Sequence, residues 1–375
     1  MLPWRLIVIR VNSHRFTFLV CALFALTVIA FGASPVDSLS AGKPDIQSAG
    51  PLAFGPDGVL FVGDSIGAAV FALDTGDRTP GSGSSLEVAG INLNIAGMLG
   101  TAPDQIQVID MAVNPISRNT YFSVARGRGP AAAAVILRAD AKGELSELAL
   151  DGIRHSRVSL PNAPAPDAAD GRGRSLRVQS ITDLAYVDGQ VVVAGLSNEE
   201  FASNLRSIPF PFSDADGGTS VEIFHGAHGR WETNSPIRTF VPYEVQSEPQ
   251  ILAAYTCTPL VKFPVADLKP GTKVVGKTIA ELGNRNRPLD MIVYNKGGKD
   301  WILMNNSSRG VMKMSAEGLE GYNAIKAKTD VTGVPYETLA ELKGVQQLDA
   351  YNDELAIILM QDDGGALNLK TIALP

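Results

Sequence analysis

Short runs of apolar residues, each followed by turn-forming residues, recur along most of the chain. In the first of these units, residues 52–64, the tripeptide Pro56-Asp57-Gly58 lies between two apolar runs. Proline, aspartate and glycine favour tight turns, and apolar runs of this length between turns are typical of strands. The unit therefore predicts an antiparallel hairpin, to which residues 69–73 add a third strand.

The same pattern recurs five more times, and this repetition predicts the fold. The further units begin with apolar runs at residues 109–113, 182–186, 250–255, 289–294 and 347–351. A sheet of this size cannot bury both of its faces alone, whereas six sheets arranged radially bury them against one another. We therefore predict an all-β fold, a six-bladed β-propeller over residues 50–375, with a linker over residues 34–49. A β-sandwich of similar strands is the alternative.

The first 33 residues have the pattern of an export signal. Arg5, Arg10 and Arg15 precede an apolar run from Phe16 to Ala33, and Ala30-Phe31-Gly32 is an acceptable cleavage site. The run is close to the length that spans a bilayer, so an uncleaved anchor is the alternative. The segment predicts a secreted or periplasmic protein, attached to a membrane only if residues 1–33 are not removed.

The charge and the cysteine content narrow the classes of partner. Removal of residues 1–33 takes away three of the 32 basic residues and none of the 39 acidic ones, so the formal net charge changes from −7 to −10. Such a balance argues against a nucleic-acid partner and against electrostatic docking on anionic lipid. Cys257 is then the one remaining cysteine, so no intramolecular disulfide can form and the core must supply the stability.

The motifs of two units resemble those of a known group of propellers. Pro-Asp-Gly between two short strands, with Gly63-Asp64 after them, resembles the six-bladed propellers of the NHL and gluconolactonase/paraoxonase type. Residues 287–293 are similar to the opening of an NHL blade. In the lactonase members of this group, carboxylates and asparagines near the inner strands hold a divalent metal, usually calcium. A full ligand set cannot be matched in this chain, so the resemblance implies the fold and does not transfer the activity.

One acidic position recurs in the repeats. Asp110, Asp183 and Asp290 each precede the innermost predicted strand of a unit, so equivalence of the repeats would bring them to one end of the central channel. Three carboxylates there could bind a hard cation such as Ca²⁺. Alternatively, each carboxylate accepts backbone N–H groups at the start of a blade, a common role for aspartate at turns.

Two polar loops next to the fifth unit, residues 284–287 and 305–310, could bind a ligand. The candidate ligand-binding residues are Asn284, Arg285, Asn286, Arg287, Asn305 and Arg309. The arginines could grip a carboxylate or phosphate, and the asparagines could add oxygens to a calcium site. Alternatively, the arginines neutralise the inner aspartates. A further loop, residues 161–174, is rich in proline, alanine, glycine and charge, which predicts a poorly ordered surface segment.

His225, His228 and Glu232 form a second candidate metal site. Two imidazoles and a carboxylate can bind a transition metal, but the glycines around the histidines predict a hairpin turn. An exposed loop without metal is therefore the alternative. The sequence shows no base next to Cys257, which predicts a buried small residue rather than a nucleophile.

Together these patterns predict a binding or scaffold module. The polar mouth of its channel would face a small ligand or a protein partner, with a cation as a further expectation. The alternative is a metal-dependent hydrolase acting on lactones or esters. The sequence identifies no catalytic residues.

Overall fold

The computed structural model describes residues 34–375. The predicted signal segment, residues 1–33, therefore lies outside the described residues, and export stays a prediction. Residues 34–375 form 28 strands and one α-helix, α1 (Ile91–Met98). Of the helices in this part of the chain, none combines the length and the apolar character needed to cross a membrane.

The strands are short and distributed along the whole described region. In chain order they are β1 (Ser40–Gly42), β2 (Leu52–Phe54), β3 (Val59–Asp64), β4 (Ala69–Asp74), β5 (Glu87–Val88), β6 (Ile106–Val113), β7 (Thr120–Arg126), β8 (Ala133–Ala139), β9 (Leu145–Glu147), β10 (Ile153–Ser159), β11 (Asp183–Val187), β12 (Gln190–Leu196), β13 (Ser203–Pro209), β14 (Thr219–His225), β15 (Arg230–Glu232), β16 (Ile237–Val245), β17 (Glu248–Tyr255), β18 (Pro259–Pro264), β19 (Lys273–Val275), β20 (Lys277–Leu282), β21 (Pro288–Lys296), β22 (Lys299–Asn306), β23 (Gly310–Ser315), β24 (Val331–Gly333), β25 (Tyr336–Leu339), β26 (Val345–Ala350), β27 (Leu355–Gln361) and β28 (Leu367–Ala373).

These strands form six sheets, which are the six blades of a propeller, so the predicted all-β six-bladed architecture is confirmed. Numbered by their innermost strands and given from the channel outwards, blade 1 is β2-β3-β4-β10-β1, blade 2 is β6-β7-β8-β9, and blade 3 is β11-β12-β13-β14-β15 with β19 also paired to β14. Blade 4 is β16-β17-β18-β20-β24, blade 5 is β21-β22-β23-β25, and blade 6 is β26-β27-β28-β5.

The hairpins form where the sequence supplies residues suited to left-handed backbone. Between β11 and β12 the two turn residues, Asp188 and Gly189, have φ angles of 49° and 78°. Gly297 and Gly298, between β21 and β22, have φ angles of 65° and 76°. Two consecutive residues with positive φ are the requirement of the tight hairpin turn that matches the twist of the flanking strands.

The blades do not follow one another around the ring in chain order. One face of blade 1 packs on blade 2 through Phe71, and the opposite face packs on blade 3 through Phe61. The remaining shared cores join blades 3 and 4, 4 and 5, 5 and 6, and 6 and 2. The ring order is therefore 2-1-3-4-5-6, with blade 1 between blades 2 and 3.

This order arises because blade 2 is inserted in a hairpin of blade 1. Strand β4 ends at Asp74 and its sheet neighbour β10 begins at Ile153. The intervening residues 75–152 contain β5, α1 and the whole of blade 2. Strand β5 pairs with β28, so blade 6 combines the last strands of the chain with one from near its start.

Residues 34–49, expected to be a linker, are part of the propeller. Strand β1 pairs with β10 at the outer edge of blade 1. Val36 and Leu39 are buried in the core that blades 1 and 3 share. Parts of residues 34–49 therefore pack as part of blade 1.

Candidate functional site

The central channel contains two cavities separated by a ring of carboxylates. One cavity, of about 420 Å³, lies at the end where the inner strands begin, and we call it the channel mouth. The other, of about 490 Å³, lies further along the inner strands. Asp110, Asp183 and Asp290 line both cavities, so they form the waist between them. The structure thus places all three predicted aspartates around the channel.

Irregularities in the inner strands determine which side chains reach the mouth. The register shifts by one residue in β6 between Val108 and Asp110, and in β16 between Ile237 and Thr239. Strands β21 and β26 have similar shifts. A bulge adds an unpaired residue and re-aims the neighbouring side chains. In β16 the unpaired residue is Arg238, which lines the mouth.

Asp110 and Asp290 therefore lie within their inner strands, next to these bulges, and Asp183 is the first residue of β11. The sequence analysis placed all three just before a strand. The difference arises because a bulge breaks the alternation of apolar and polar residues from which the strand boundaries were predicted.

The loop between β10 and β11 covers one side of the mouth. Asp170 accepts the backbone N–H groups of Arg172 and Arg174, and its carboxylate pairs with the Arg174 side chain at 2.7 Å. The loop contributes to the cavity wall the residues Arg174, Ser175, Val178, Gln179, Ile181 and Thr182. The segment that the composition predicted to be poorly ordered is thus held by its own hydrogen bonds, and it carries part of the site.

Three arginines from different parts of the chain line the channel mouth: Arg174, Arg238 and Arg287. Arg238 donates to the Thr256 hydroxyl at 3.1 Å and to the Gln179 side-chain oxygen at 3.0 Å. Burial, followed by the positive charges of Arg287 and Arg174, lowers the pKa of Arg238 to about 10. The guanidinium groups are therefore close enough to repel one another.

The aspartates of the waist connect neighbouring blades. Asp110 accepts the N–H of Leu52 in blade 1 at 2.7 Å, and Asp183 accepts that of Phe240 in blade 4 at 2.8 Å. Asp290 accepts the N–H of Leu348 in blade 6 at 2.8 Å. These are the backbone contacts that the alternative interpretation of the three aspartates predicted.

A fourth carboxylate, Asp349 of blade 6, makes the same kind of bond and was missed by the sequence analysis. It accepts the N–H of Val113 in blade 2 at 2.8 Å and lines the deeper cavity. Asp349 could have been predicted from its position in the last repeat, just before the turn at residues 351–354.

The four carboxylates share a low-dielectric environment that disfavours their charged form. Burial raises the pKa of Asp110 to about 8, of Asp183 to about 7 and of Asp349 to about 6. Burial and the charge of Asp110 raise the pKa of Asp290 well above its ordinary value. The waist therefore takes up protons near neutral pH.

The waist aspartates do not form a group of three carboxylates whose oxygens all lie within 4.8 Å of one another. Calcium takes six to eight oxygens at about 2.3–2.6 Å. Within residues 34–375, the one group of three His, Cys, Asp or Glu side chains with ligand atoms all within 4.8 Å of one another is His225, His228 and Cys257. Calcium binding stays a prediction, to be tested by thermal unfolding with calcium or with a chelator.

Of the six predicted ligand-binding residues, Arg287 lines the channel mouth. The asparagines bond within the protein: Asn305 accepts the N–H of Asp290 at 2.6 Å, and Asn286 donates to Asn306 at 3.0 Å. Asn284 donates to Asp330 and accepts a bond from Arg309, which lies against Gly283. Arg285 is exposed, with a φ of 57°.

The second predicted metal site lies at the rim between blades 3 and 4. His225 ends β14, and Glu232 ends β15 after a tight turn. The turn agrees with the predicted hairpin, but His225 is buried rather than exposed, whereas His228 is exposed. Cys257, in the turn between β17 and β18, is half-buried and next to both histidines. This contact could not be predicted from the sequence, because the packing of blade 4 on blade 3 creates it and the residues are distant in the chain.

Comparisons with known proteins do not identify a function for this chain. No protein-family profile matches the chain, and no curated protein matches it. The PQQ-bound aldose sugar dehydrogenase from Streptomyces coelicolor is similar over 89% of this chain and 96% of its own, at 11% identity and a TM-score of 0.35. A putative oxidoreductase (glucose dehydrogenase) from Thermus thermophilus is similar over 89% of this chain and 100% of its own, at 12% identity and a TM-score of 0.37.

The WD40 propeller domain of Doa1 is similar over 90% of this chain and 96% of its own, at 8% identity and a TM-score of 0.32. Scores this low carry no argument about activity. The sheet topology itself shows the six blades. Membership of the NHL or gluconolactonase/paraoxonase group stays a prediction.

Proposed function

We propose that the protein binds a small molecule that carries a carboxylate or phosphate group at the channel mouth. The observation that carries this proposal is the convergence of Arg174, Arg238 and Arg287 on one cavity of about 420 Å³. Like charges held this close repel one another, and an anionic ligand between them would turn this repulsion into attraction.

The available hydrogen-bonding groups support a bound anion. Arg174 is paired with Asp170, and Arg238 has two protein acceptors. Within residues 34–375, the Arg287 side chain makes no hydrogen bond or salt bridge to the protein, and the residue is exposed. Its planar fork of donors can therefore hold a carboxylate or phosphate in two parallel bonds.

The floor of the same cavity favours a ligand with hydroxyl or amino groups at its other end. Asp110, Asp183 and Asp290 lie below the arginines, and a carboxylate can accept bonds from such donors. Gln179 and Gln347 add further polar groups to the wall. A small hydroxy acid, sugar acid, sugar phosphate or amino acid combines these features.

Gluconate, glucose 6-phosphate, glutamate and neutral glucose form a suitable panel of probes for this site. We expect at least one anionic probe, but not glucose, to raise the melting temperature and to bind in isothermal titration calorimetry. Arg287→Gln should weaken that binding about 10- to 100-fold, because it removes a charged pair of hydrogen bonds.

Arg285→Gln is the matched control, since Arg285 is exposed, lies two residues away and does not line the cavity. It should leave the affinity unchanged. Equal losses in both variants, or no binding of any anionic probe to the folded protein, would overturn the proposal.

A further inference from the structure

A cluster of metal-binding side chains lies away from the channel, between the outer strands of blade 3 and a turn of blade 4. One imidazole nitrogen from each of His225 and His228 and the sulfur of Cys257 all lie within 4.8 Å of one another. The histidines come from the β14–β15 turn and the cysteine from the β17–β18 turn. Two blades therefore have to pack together before the three side chains can meet.

Glu232 holds both histidine rings in position. Its two carboxylate oxygens contact Nδ1 of His225 at 2.9 Å and Nδ1 of His228 at 2.6 Å, and the ring centroids are 3.8 Å apart. The nitrogen left free on each ring is Nε2. Histidines that bind metals commonly hold their other ring nitrogen against a carboxylate, which fixes the ring orientation and raises its basicity.

The free nitrogen of His225 needs a partner. The side chain of His225 is 2% exposed, and its Nε2 atom is buried without a hydrogen-bond partner in the described chain. A buried polar atom without a partner destabilises a protein, because it has lost its hydrogen bonds to water. A metal ion bound at Nε2 would remove this cost.

The turn that carries Cys257 is held in a strained conformation. Cys257 and Thr258 have φ angles of 64° and 57°, a region that β-branched residues in particular avoid. The Cys257 N–H donates to the Asn286 carbonyl at 2.6 Å, and the Thr258 hydroxyl donates to the Gly283 carbonyl at 2.8 Å. These bonds maintain the conformation that places the thiol next to the histidines.

A second contact ties the histidine turn to the blade that carries the cysteine. Glu281 of β20 in blade 4 is fully buried and accepts the backbone N–H of Gly226, which lies between the two histidines. Both halves of the cluster are therefore held by the same blade.

We propose that His225, His228 and Cys257 bind one thiophilic transition-metal ion, with Zn²⁺ as the reference ion, and that Glu232 is a positioning residue for both imidazoles. Two imidazoles and a thiolate suit zinc and copper rather than calcium or magnesium. Ligand atoms around tetrahedral zinc are roughly 3.3–3.6 Å apart, which is within the 4.8 Å limit that contains the three atoms.

The cluster leaves a fourth coordination position open. The His228 side chain is 41% exposed and Cys257 is half-buried, so solvent reaches the site. Three protein ligands with one position for water form the arrangement found in reactive zinc sites. On binding, the Cys257 thiol releases its proton to solvent, and the imidazoles bind in their neutral form.

The test uses the full chain, with Zn²⁺ affinity measured by chelator competition and with Co²⁺ as a spectroscopic probe. We expect one ion per chain and a near-ultraviolet sulfur-to-cobalt charge-transfer band. Cys257→Ser should abolish the band and weaken Zn²⁺ binding at least 100-fold; this variant retains Cys21, so the loss reports on Cys257. Glu232→Gln should weaken binding about 10- to 100-fold, as expected for an orienting carboxylate.

Two further variants separate metal binding from folding. His228→Ala removes an exposed ligand and should preserve the circular dichroism spectrum while weakening Zn²⁺ binding. His155→Ala, at a half-buried histidine of β10 in blade 1, should leave the affinity unchanged. An unchanged Zn²⁺ affinity in folded Cys257→Ser would overturn the proposal. So would alkylation of Cys257 by iodoacetamide at the same rate with and without Zn²⁺.

Discussion

At the scale of single residues, two opposing effects act on the protonation of the four aspartates at the waist. Each carboxylate joins its blade to the next one by accepting a backbone N–H, and this bond favours the charged form. Burial disfavours that form and is the largest effect for all four groups, and repulsion by neighbouring carboxylates adds to it for Asp110 and Asp290. The blade contacts are therefore made by groups whose protonation changes near neutral pH.

This conflict predicts a stability that falls as the pH rises. The folded-state pKa values are raised, so the native state binds more protons than the unfolded state above about pH 4. The contribution of these groups is fully present below their unfolded pKa and is lost as the pH rises through about 6 to 8. We expect the melting temperature to fall between pH 5 and pH 8.

Asp290→Asn should reduce that fall. Asp290 accepts one backbone N–H, which an amide oxygen can also accept, and the substitution removes a charge that the three other carboxylates repel. The melting temperature of the variant should exceed that of the wild type by a margin that grows from pH 5 to pH 8. Asp363→Asn, at an exposed aspartate, is the control and should keep the wild-type slope. If the melting temperature of Asp290→Asn fell with pH as steeply as that of the wild type, Asp290 would not contribute to the pH dependence.

The sequence predicted part of the site at this scale. It identified Asp110, Asp183 and Asp290 because repeats place equivalent residues around one axis. It identified Arg287 but not Arg174 or Arg238. Arg174 lies in a loop whose composition resembles disorder, and Arg238 reaches the mouth through a bulge, which periodicity does not reveal.

At the scale of elements, the hairpins could be predicted and the inner strand of blade 4 could not. The turns at Asp188-Gly189 and Gly297-Gly298 have the residues that tight hairpins require. Strand β16 contains Pro242, which argues against an interior strand. It is tolerated because β16 is the edge of its sheet on the channel side.

A glycine in β12 shows how closely the loop before β11 packs on blade 3. A Cβ atom at Gly195 would lie 2.0 Å from the backbone oxygen of Ser180, which cannot move without displacing the cavity wall. We expect Gly195→Ala to lower the free energy of unfolding by roughly 1–3 kcal/mol in urea denaturation.

Gly97→Ala is the matched control for that prediction. Gly97 lies in the exposed part of α1, and a Cβ atom there would meet no neighbour within 4 Å. Alanine should stabilise the helix by about 0.5–1 kcal/mol, because glycine loses more backbone entropy on folding. Equal effects in the two variants would contradict the close packing at Gly195.

At the scale of the whole molecule, the aspartate contacts run in one direction around the ring. They lead from blade 5 to 6, from 6 to 2, from 2 to 1 and from 3 to 4. At the joint between blades 1 and 3, Ser65 and Ser180 exchange hydrogen bonds with opposing backbone carbonyls instead. The fold class could be predicted from the repeats, but this ring order could not, because strands of similar pattern do not reveal which sheet they join.

Blade 6 is completed by the pairing of β5 with β28, which are distant in the chain. A substitution at this pairing tests whether the propeller unfolds as one unit. The Leu86 N–H donates to the Thr371 hydroxyl at 2.9 Å, next to the pairing of β5 with β28. Thr371→Val should lower the free energy of unfolding by about 0.5–1.5 kcal/mol. We expect one cooperative transition at a lower denaturant midpoint, measured by circular dichroism.

Thr272→Val is the control for the ring closure. The Thr272 hydroxyl makes a hydrogen bond as well, donating to the Lys269 carbonyl, but in an exposed loop. Its removal should change stability by less than about 0.5 kcal/mol. A second, separate transition in Thr371→Val would show that blade 6 unfolds independently of the rest.

The insertion of blade 2 in one hairpin of blade 1 has a consequence for blade 6. Residues 75–152 leave blade 1 at Asp74 and return to the adjacent strand at Ile153, so their two ends are neighbours in space. Loss of this segment would remove the whole of blade 2 and also β5, the outermost strand of blade 6. The five remaining blades would then follow one another in chain order, and blade 6 would keep three strands.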